Sequence, residues 1–224
     1  MSRAGRDGQP AVTSRGRPRL VVATHSRHKL AELRDLLHLE RAELLDLDDV
    51  GLAAEPVEDG ATFAANAALK ARFYARLSGL PTLADDSGLE VEALGGGPGV
   101  RTRRFAGEEA TDADNNARLL EVLAGLPPER RQARYRCVLA LARPDMAGPR
   151  GGLPVRLARG TFPGRIATHP RGANGFGYDP IFEPAGEPPG GATVGEWSPE
   201  RKAAVSHRAR AARRMAAILR GLGF

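Results

Sequence analysis

Apolar positions fall into two kinds of run along this chain. Continuous runs are short: Leu20–Ala23 within Arg19–Thr24, Leu44-Leu45 within Ala42–Leu47, and Val138–Ala142 within Ala133–Ala142. Uninterrupted runs of this length predict buried strands. Periodic runs are longer. Leu30, Leu33, Leu36 and Leu37 give one apolar face to a helix over His28–Leu39, and Thr62 is placed to cap a second helix over Thr62–Leu77. Thr111-Asp112-Ala113-Asp114 has capping-box spacing for a third helix running to Leu123. Met215, Ile218, Leu219 and Leu222 face one way on a last helix, entered from Trp197-Ser198-Pro199. Leu153–Phe162 pairs as a strand with Ala133–Ala142 across the Gly/Pro-rich Arg143–Gly152, and Pro180–Phe182 forms a short strand.

The pattern is interrupted most sharply in Leu83–Gly107. Leu83-Ala84 leads into two adjacent acids, Asp85 and Asp86, followed by Ser87-Gly88 and then the alternation Leu89-Glu90-Val91-Glu92. This reads as a strand that ends at the acids and opens into a glycine turn. Neighbouring carboxylates repel and require solvent or a cation, which a divalent metal with a phosphate ligand supplies. The alternative is a plain Asp-Ser-Gly turn, since these residues dominate turns.

Composition narrows the function classes. The 224 residues, 42% hydrophobic and 27% charged, suit one folded domain over 18–224, preceded by a disordered basic tail over 1–17. No run approaches the roughly 18 apolar residues of a membrane span, and the N-terminus lacks the apolar segment of a secretory signal. The single cysteine, Cys137, excludes an internal disulfide framework; it suits a reducing cytoplasm, with Cys137 as a small buried residue. The net charge of +6 is uneven: residues 1–19 carry +4, residues 201–224 carry +7, and the body carries −5. Basic ends can attract nucleic acid, but no aromatics interleave with the arginines of the tail and the body is acidic, so a nucleic-acid partner is not expected.

Only three of the 33 basic residues are lysines: Lys29, Lys70 and Lys202. In a chain that otherwise uses arginine, they mark candidate places for a compact ammonium, such as beside a phosphate oxygen. Lys29 sits in the first turn of a helix that follows a strand and the polar loop Thr24–Arg27, where backbone N–H groups and the helix dipole can hold an anion. Without a Gly-rich loop, a plain surface role for Lys29 stays open. In Asn174–Pro184, Gly175 and Gly177 flank Phe176 and leave its ring free to project, either as a platform for a flat ligand or tucked under the loop.

Five stretches together carry a resemblance: ATHSRHKLAEL (23–33), EDGATFAANAALKAR (58–72), ADDSGLEVEALGGGPGV (84–100), GFGYDPIF (175–182) and KAAVSHRARA (202–211). The chain resembles the inosine/xanthosine triphosphate pyrophosphatase family, and all three lysines fall inside these motifs. The resemblance implies an α/β fold with a long mixed β-sheet flanked by helices, in two lobes around a central substrate cleft. It implies hydrolysis of dITP/ITP and XTP/dXTP to the monophosphate and pyrophosphate with Mg²⁺, and a homodimer. Asp86 would be general base and metal ligand, with Glu58 and Asp85 also near the metal. Thr24, His25, Ser26, Arg27, His28, Lys29 and Lys70 would hold the triphosphate, and Ser87 a phosphate or the sugar. Phe176 would stack on the base, with Gly177, Tyr178, Asp179, Lys202, His207 and Arg208 completing the pocket. Ser206-His207-Arg208 cannot all share one side of a helix, so at most two reach a common site.

Four positions depart from the family pattern. Ser26 replaces an Asn, His28 a small residue and Ala65 a Glu, and Arg103 is unusual. Ser26 and Ala65 together raise the alternative of a catalytically impaired nucleotide-binding homologue. His28 adds a phosphate contact or faces solvent. A Glu at position 65 would complete a capping box on Thr62, so Ala65 means a weaker cap or, alternatively, an acid lost near the metal.

Overall fold

The computed structural model describes residues 16–148 and 152–224. Apart from exposed Gly16 and Arg17, the tail expected over 1–17 lies outside the described residues. Six strands form one sheet in the order β2-β1-β3-β4-β5-β6. They are β1 (Arg19–Ala23), β2 (Glu43–Leu45), β3 (Thr82–Val91), β4 (Gln132–Ala142), β5 (Val155–Ile166) and β6 (Phe182–Pro184). β1 lies parallel to β2 and β3, and β3 through β6 run antiparallel. The helices are α1 (Arg27–Leu37), α2 (Phe63–Ser78), α3 (Asp112–Val122), α4 (Pro199–Val205) and α5 (His207–Gly221). Among the described residues no helix is long and apolar enough to cross a membrane.

Period-2 alternation sorts the core onto the two faces of the sheet. Leu20, Val22, Leu83, Cys137, Leu139 and Leu141 pack against α1 and α5 through Leu33, Leu37, Met215 and Leu219. Val21, Ala23, Ala84, Val138 and Ala140 pack against α2 through Ala67, Ala71 and Tyr74. A third cluster at the far ends of β3 and β4 joins Leu89, Val91 and Tyr135 to Leu119 of α3, to Leu123 just beyond it and to Phe182 and Trp197.

The expected strand end at Asp85-Asp86 is corrected here. β3 runs unbroken through Asp85, Asp86, Ser87 and Gly88, with ten residues in register on β4. Turn chemistry is overruled by tertiary packing: a Cβ at Gly88 would lie 2.7 Å from the Gly99 carbonyl oxygen and 2.9 Å from both Phe63 and Thr102. Here glycine makes room for a close approach rather than for a turn. The single C-terminal helix is also corrected. It is two helices divided at Ser206, whose extended backbone (ψ 164°) ends α4 and whose hydroxyl caps α5 by accepting from the Ala209 N–H.

Smaller differences lie at element ends. β5 extends to Ile166 rather than Phe162, and Asp179–Ile181 is a 3-10 turn, with strand only from Phe182. Both expected caps are present: Thr62 accepts from the Ala65 N–H, and Thr111 with Asp114 forms a capping box. Cys137 is buried, as its apolar surroundings predict.

Two approaches fix α5 on the sheet. A Cβ at Gly160 of β5 would overlap the His207 carbonyl, so only glycine lets the start of α5 settle this close. Along the part of β5 that β6 does not cover, Arg210 donates to the Thr161 carbonyl at 2.7 Å and Arg214 to the Arg159 carbonyl.

Candidate active site

Alternation along β3 sends the two acids to opposite faces of the sheet. Asp85 follows Leu83 toward α1 and α5, and Asp86 follows Ala84 toward α2. Asp85 is buried and fully engaged. Its Oδ1 lies 2.6 Å from the Lys29 ammonium and accepts from the Ser87 hydroxyl at 3.2 Å. Its Oδ2 accepts from the Cys137 thiol at 3.1 Å and lies 3.5 Å from Arg208 Nε. Burial alone would raise the Asp85 pKa, but Lys29 and Arg208 hold it far below the usual carboxylate range.

Asp86 is different. Its Oδ1 accepts from Lys70 at 3.2 Å, and the same ammonium donates to Glu58 at 2.9 Å. Burial raises the Asp86 pKa above its ordinary value, outweighing Lys70 and Lys29. Asp86 Oδ2 is buried with no hydrogen-bond partner. An unpaired carboxylate oxygen beside a second acid fits a divalent cation. No group of three or more His, Cys, Asp or Glu side chains among the described residues could hold a metal unaided, so phosphate oxygens or water would complete the shell.

At the other end lie rings and a buried ion pair. Lys202 Nζ sits 2.8 Å from Asp179 Oδ2 and 4.2 Å from the centre of the Phe176 ring. Asp179 also accepts from the Phe176 N–H at 3.0 Å and from the Tyr135 hydroxyl at 3.3 Å; burial raises its pKa despite Lys202. The Tyr178 hydroxyl donates to the Thr102 carbonyl at 2.7 Å. His207 stacks on Tyr135 at 4.7 Å, and burial, with Arg208 and Lys202 nearby, lowers its pKa and keeps the imidazole neutral. Phe176 does not project freely: it is half-buried, with His28 stacked on it at 5.4 Å and 16°. His28 is exposed, as one of its two expectations has it, and its ring also faces Phe176 across the cleft.

These ends belong to one cleft of about 790 Å³, and every candidate residue lines it: Thr24 to Lys29, Glu58, Lys70, Asp85, Asp86, Ser87, Phe176 to Asp179, Lys202, His207 and Arg208. Of five buried side-chain polar atoms without a hydrogen-bond partner among the described residues, three belong to residues of this lining: Asp86 Oδ2, His207 Nδ1 and Arg208 Nε. Ser206 is spent as a cap, so of Ser-His-Arg two side chains reach the cleft. Ser26 keeps the cap of α1, accepting from the Lys29 N–H. Ala65 is exposed on α2 and is not on the cleft lining.

A profile of the Ham1 family matches residues 20–218. The chain belongs to the Ham1 family. A dITP/XTP pyrophosphatase of Syntrophobacter fumaroxidans is 51% identical, aligning 86% of this chain and 78% of the relative. Another from Bifidobacterium animalis subsp. lactis is 43% identical over 91% of this chain and 97% of the relative. The solved structure of a HAM1 protein from Coxiella burnetii matches with a TM-score of 0.79 at 37% identity, covering 91% of this chain and 99% of that one. The mixed sheet with flanking helices is thus the Ham1 fold.

Sequence reasoning missed residues that hold the lining of this cleft in place. Glu32 of α1 pairs with Lys202 at 3.0 Å and with Arg208, which hold its pKa down against the effect of burial. It lies three residues after Lys29 and so on the same helix face, which was the available signal. His25 is bound by Tyr74 (3.0 Å) and Glu55 (3.5 Å), neither of which carried a motif signal.

Proposed function

We propose that this chain hydrolyses non-canonical purine nucleoside triphosphates, dITP/ITP and XTP/dXTP, between the α- and β-phosphates. The observation that carries this reading is one cleft with a free carboxylate oxygen of Asp86 at a charged end and Phe176, Asp179 and Lys202 at an aromatic end. The triphosphate lies along the start of α1, where the backbone N–H groups of His25, Arg27 and His28 and the Lys29 ammonium face it, those of Thr24, Ser26 and Lys29 being engaged within the segment. Asp86 accepts a proton from the attacking water; the bond between the α-phosphorus and its bridging oxygen breaks, and pyrophosphate leaves. Glu58 and Asp86 would hold the metal, Mg²⁺ by family implication, which offsets charge on the phosphate oxygens when bound. Asp85 takes a different part from the one the resemblance gives it: with both oxygens engaged, it fixes Lys29 and Arg208 in place.

The base stacks on Phe176 in place of the His28 ring, which swings aside. Hydrogen-bond donors facing the 6-oxo group reward hypoxanthine and xanthine and oppose the 6-amino donor of adenine. His207 Nδ1 is buried without a hydrogen-bond partner, whereas the Arg208 guanidinium is held by Asp85, Glu32 and Ser87. A cytoplasmic homodimer belongs to the same reading, and light scattering on the purified protein checks the dimer. The deciding assay measures pyrophosphate release from dITP, XTP, dGTP and ATP with Mg²⁺, using Asp86→Asn as control. Turnover of dITP and XTP well above dGTP and ATP, lost in the control, is expected. Nucleotide binding without turnover would instead indicate the impaired homologue.

A further inference from the structure

The loop that carries Phe176 is poorly suited to hold a ring still. Gly175 and Gly177 flank it, both with positive φ (80° and 63°), and glycine loses the most conformational freedom on ordering. A base gains from stacking only on a ring already in place. Something outside the loop must fix it.

α3 does so through one residue, Gly177, by holding the peptide units on both sides of it. The Gly177 N–H donates to Asp112 Oδ2 at 2.6 Å, and the Gly177 carbonyl accepts from Asn116 Nδ2 at 3.0 Å. Asp112 and Asn116 are four residues apart and so share one face of the helix. The support is itself rigid. Thr111 and Asp114 close the capping box, and Asn115 ties the helix start to the preceding segment, donating to the Arg103 and Thr111 carbonyls and accepting from the Ala106 N–H. With Asp179 holding the Phe176 N–H, the backbone on both sides of the ring is bound.

We propose that Asp112 and Asn116 are positioning residues for base recognition, acting through Gly177 on Phe176. This rests on the nucleotide reading of the cleft, and its test separates the two. Amide hydrogen exchange of Gly177 and its neighbours in Asp112→Ala and Asn116→Ala reads the clamp without any substrate. Kinetics with dITP, together with inhibition by inorganic tripolyphosphate, reads its use. Loss of a charge-assisted bond predicts exchange and KM for dITP raised about tenfold in Asp112→Ala. The kcat should stay within about twofold and the tripolyphosphate inhibition constant should not move, since the phosphate half of the site is untouched. Asp112→Asn, which keeps an acceptor, should recover most of the loss. Unchanged exchange overturns the clamp whether or not the protein hydrolyses dITP. Faster exchange with unchanged KM, or losses in kcat shared by all substrates, overturns the positioning role. Absence of dITP turnover in the unaltered protein overturns the nucleotide reading, while exchange still decides the clamp.

Discussion

The two faces of β3 make opposite use of the same side chain. On the face toward α1 and α5, Asp85 meets two cations, a thiol and a hydroxyl, and is held charged. On the face toward α2, Asp86 shares one ammonium with Glu58 and keeps an oxygen unpaired. One residue of strand separates an anchor from a reactive group. A carboxylate whose oxygens are all engaged cannot take up a proton or a metal without breaking those bonds, whereas its neighbour can do either.

The largest effect that would sharpen this contrast is on catalysis. Asp86→Asn should lower kcat by about 10²–10⁴, the usual worth of a general base, with nucleotide binding retained in a fluorescence or calorimetric titration. The next is on stability. Asp85→Asn leaves Lys29 and Arg208 facing a neutral side chain and should cost about 3–5 kcal/mol in urea unfolding, as for other broken buried pairs. Equal stability in both variants would break the comparison.

The pH dependence of unfolding should separate them by sign. Asp85 has a lowered pKa in the folded state. Its contribution is therefore complete above the ordinary aspartate value of about 3.9 and is lost as pH falls below it toward the folded value. Asp86, raised, costs stability when charged. Asp86→Asn should thus stabilise the protein at neutral pH, by an amount that shrinks as pH falls through the raised pKa. The smallest effect lies outside the cleft: Ala65→Glu should complete the Thr62 capping box and add about 0.5–1 kcal/mol, with kcat and KM unchanged.

The site was more legible in the sequence than the local structure that presents it. Lys29, Lys70 and Lys202 stood out because the chain otherwise uses arginine, and each pairs with an acid of the cleft. The course of β3 was not legible, because Asp-Ser-Gly carries turn propensity of its own, and only the approach of Phe63, Gly99 and Thr102 to Gly88 shows why the strand continues. Misplacing that strand end also hid the opposite facing of the two acids. The break at Ser206 was obscured by helix formers on both sides. Glu32, Tyr74 and Asp112 were passed over for a common reason: an acid or a tyrosine on an amphipathic helix looks like surface or core until its partner, distant in sequence, is known.

Two arginines of α5 do more than face solvent. By donating to the Thr161 and Arg159 carbonyls, Arg210 and Arg214 occupy part of the sheet border that β6 leaves uncovered. An open strand border invites pairing with another chain, and cationic side chains laid along it discourage such self-association. The helix that delivers His207 and Arg208 to the cleft therefore also covers a strand border, so a chain shortened before α5 would bare that border as it lost its site.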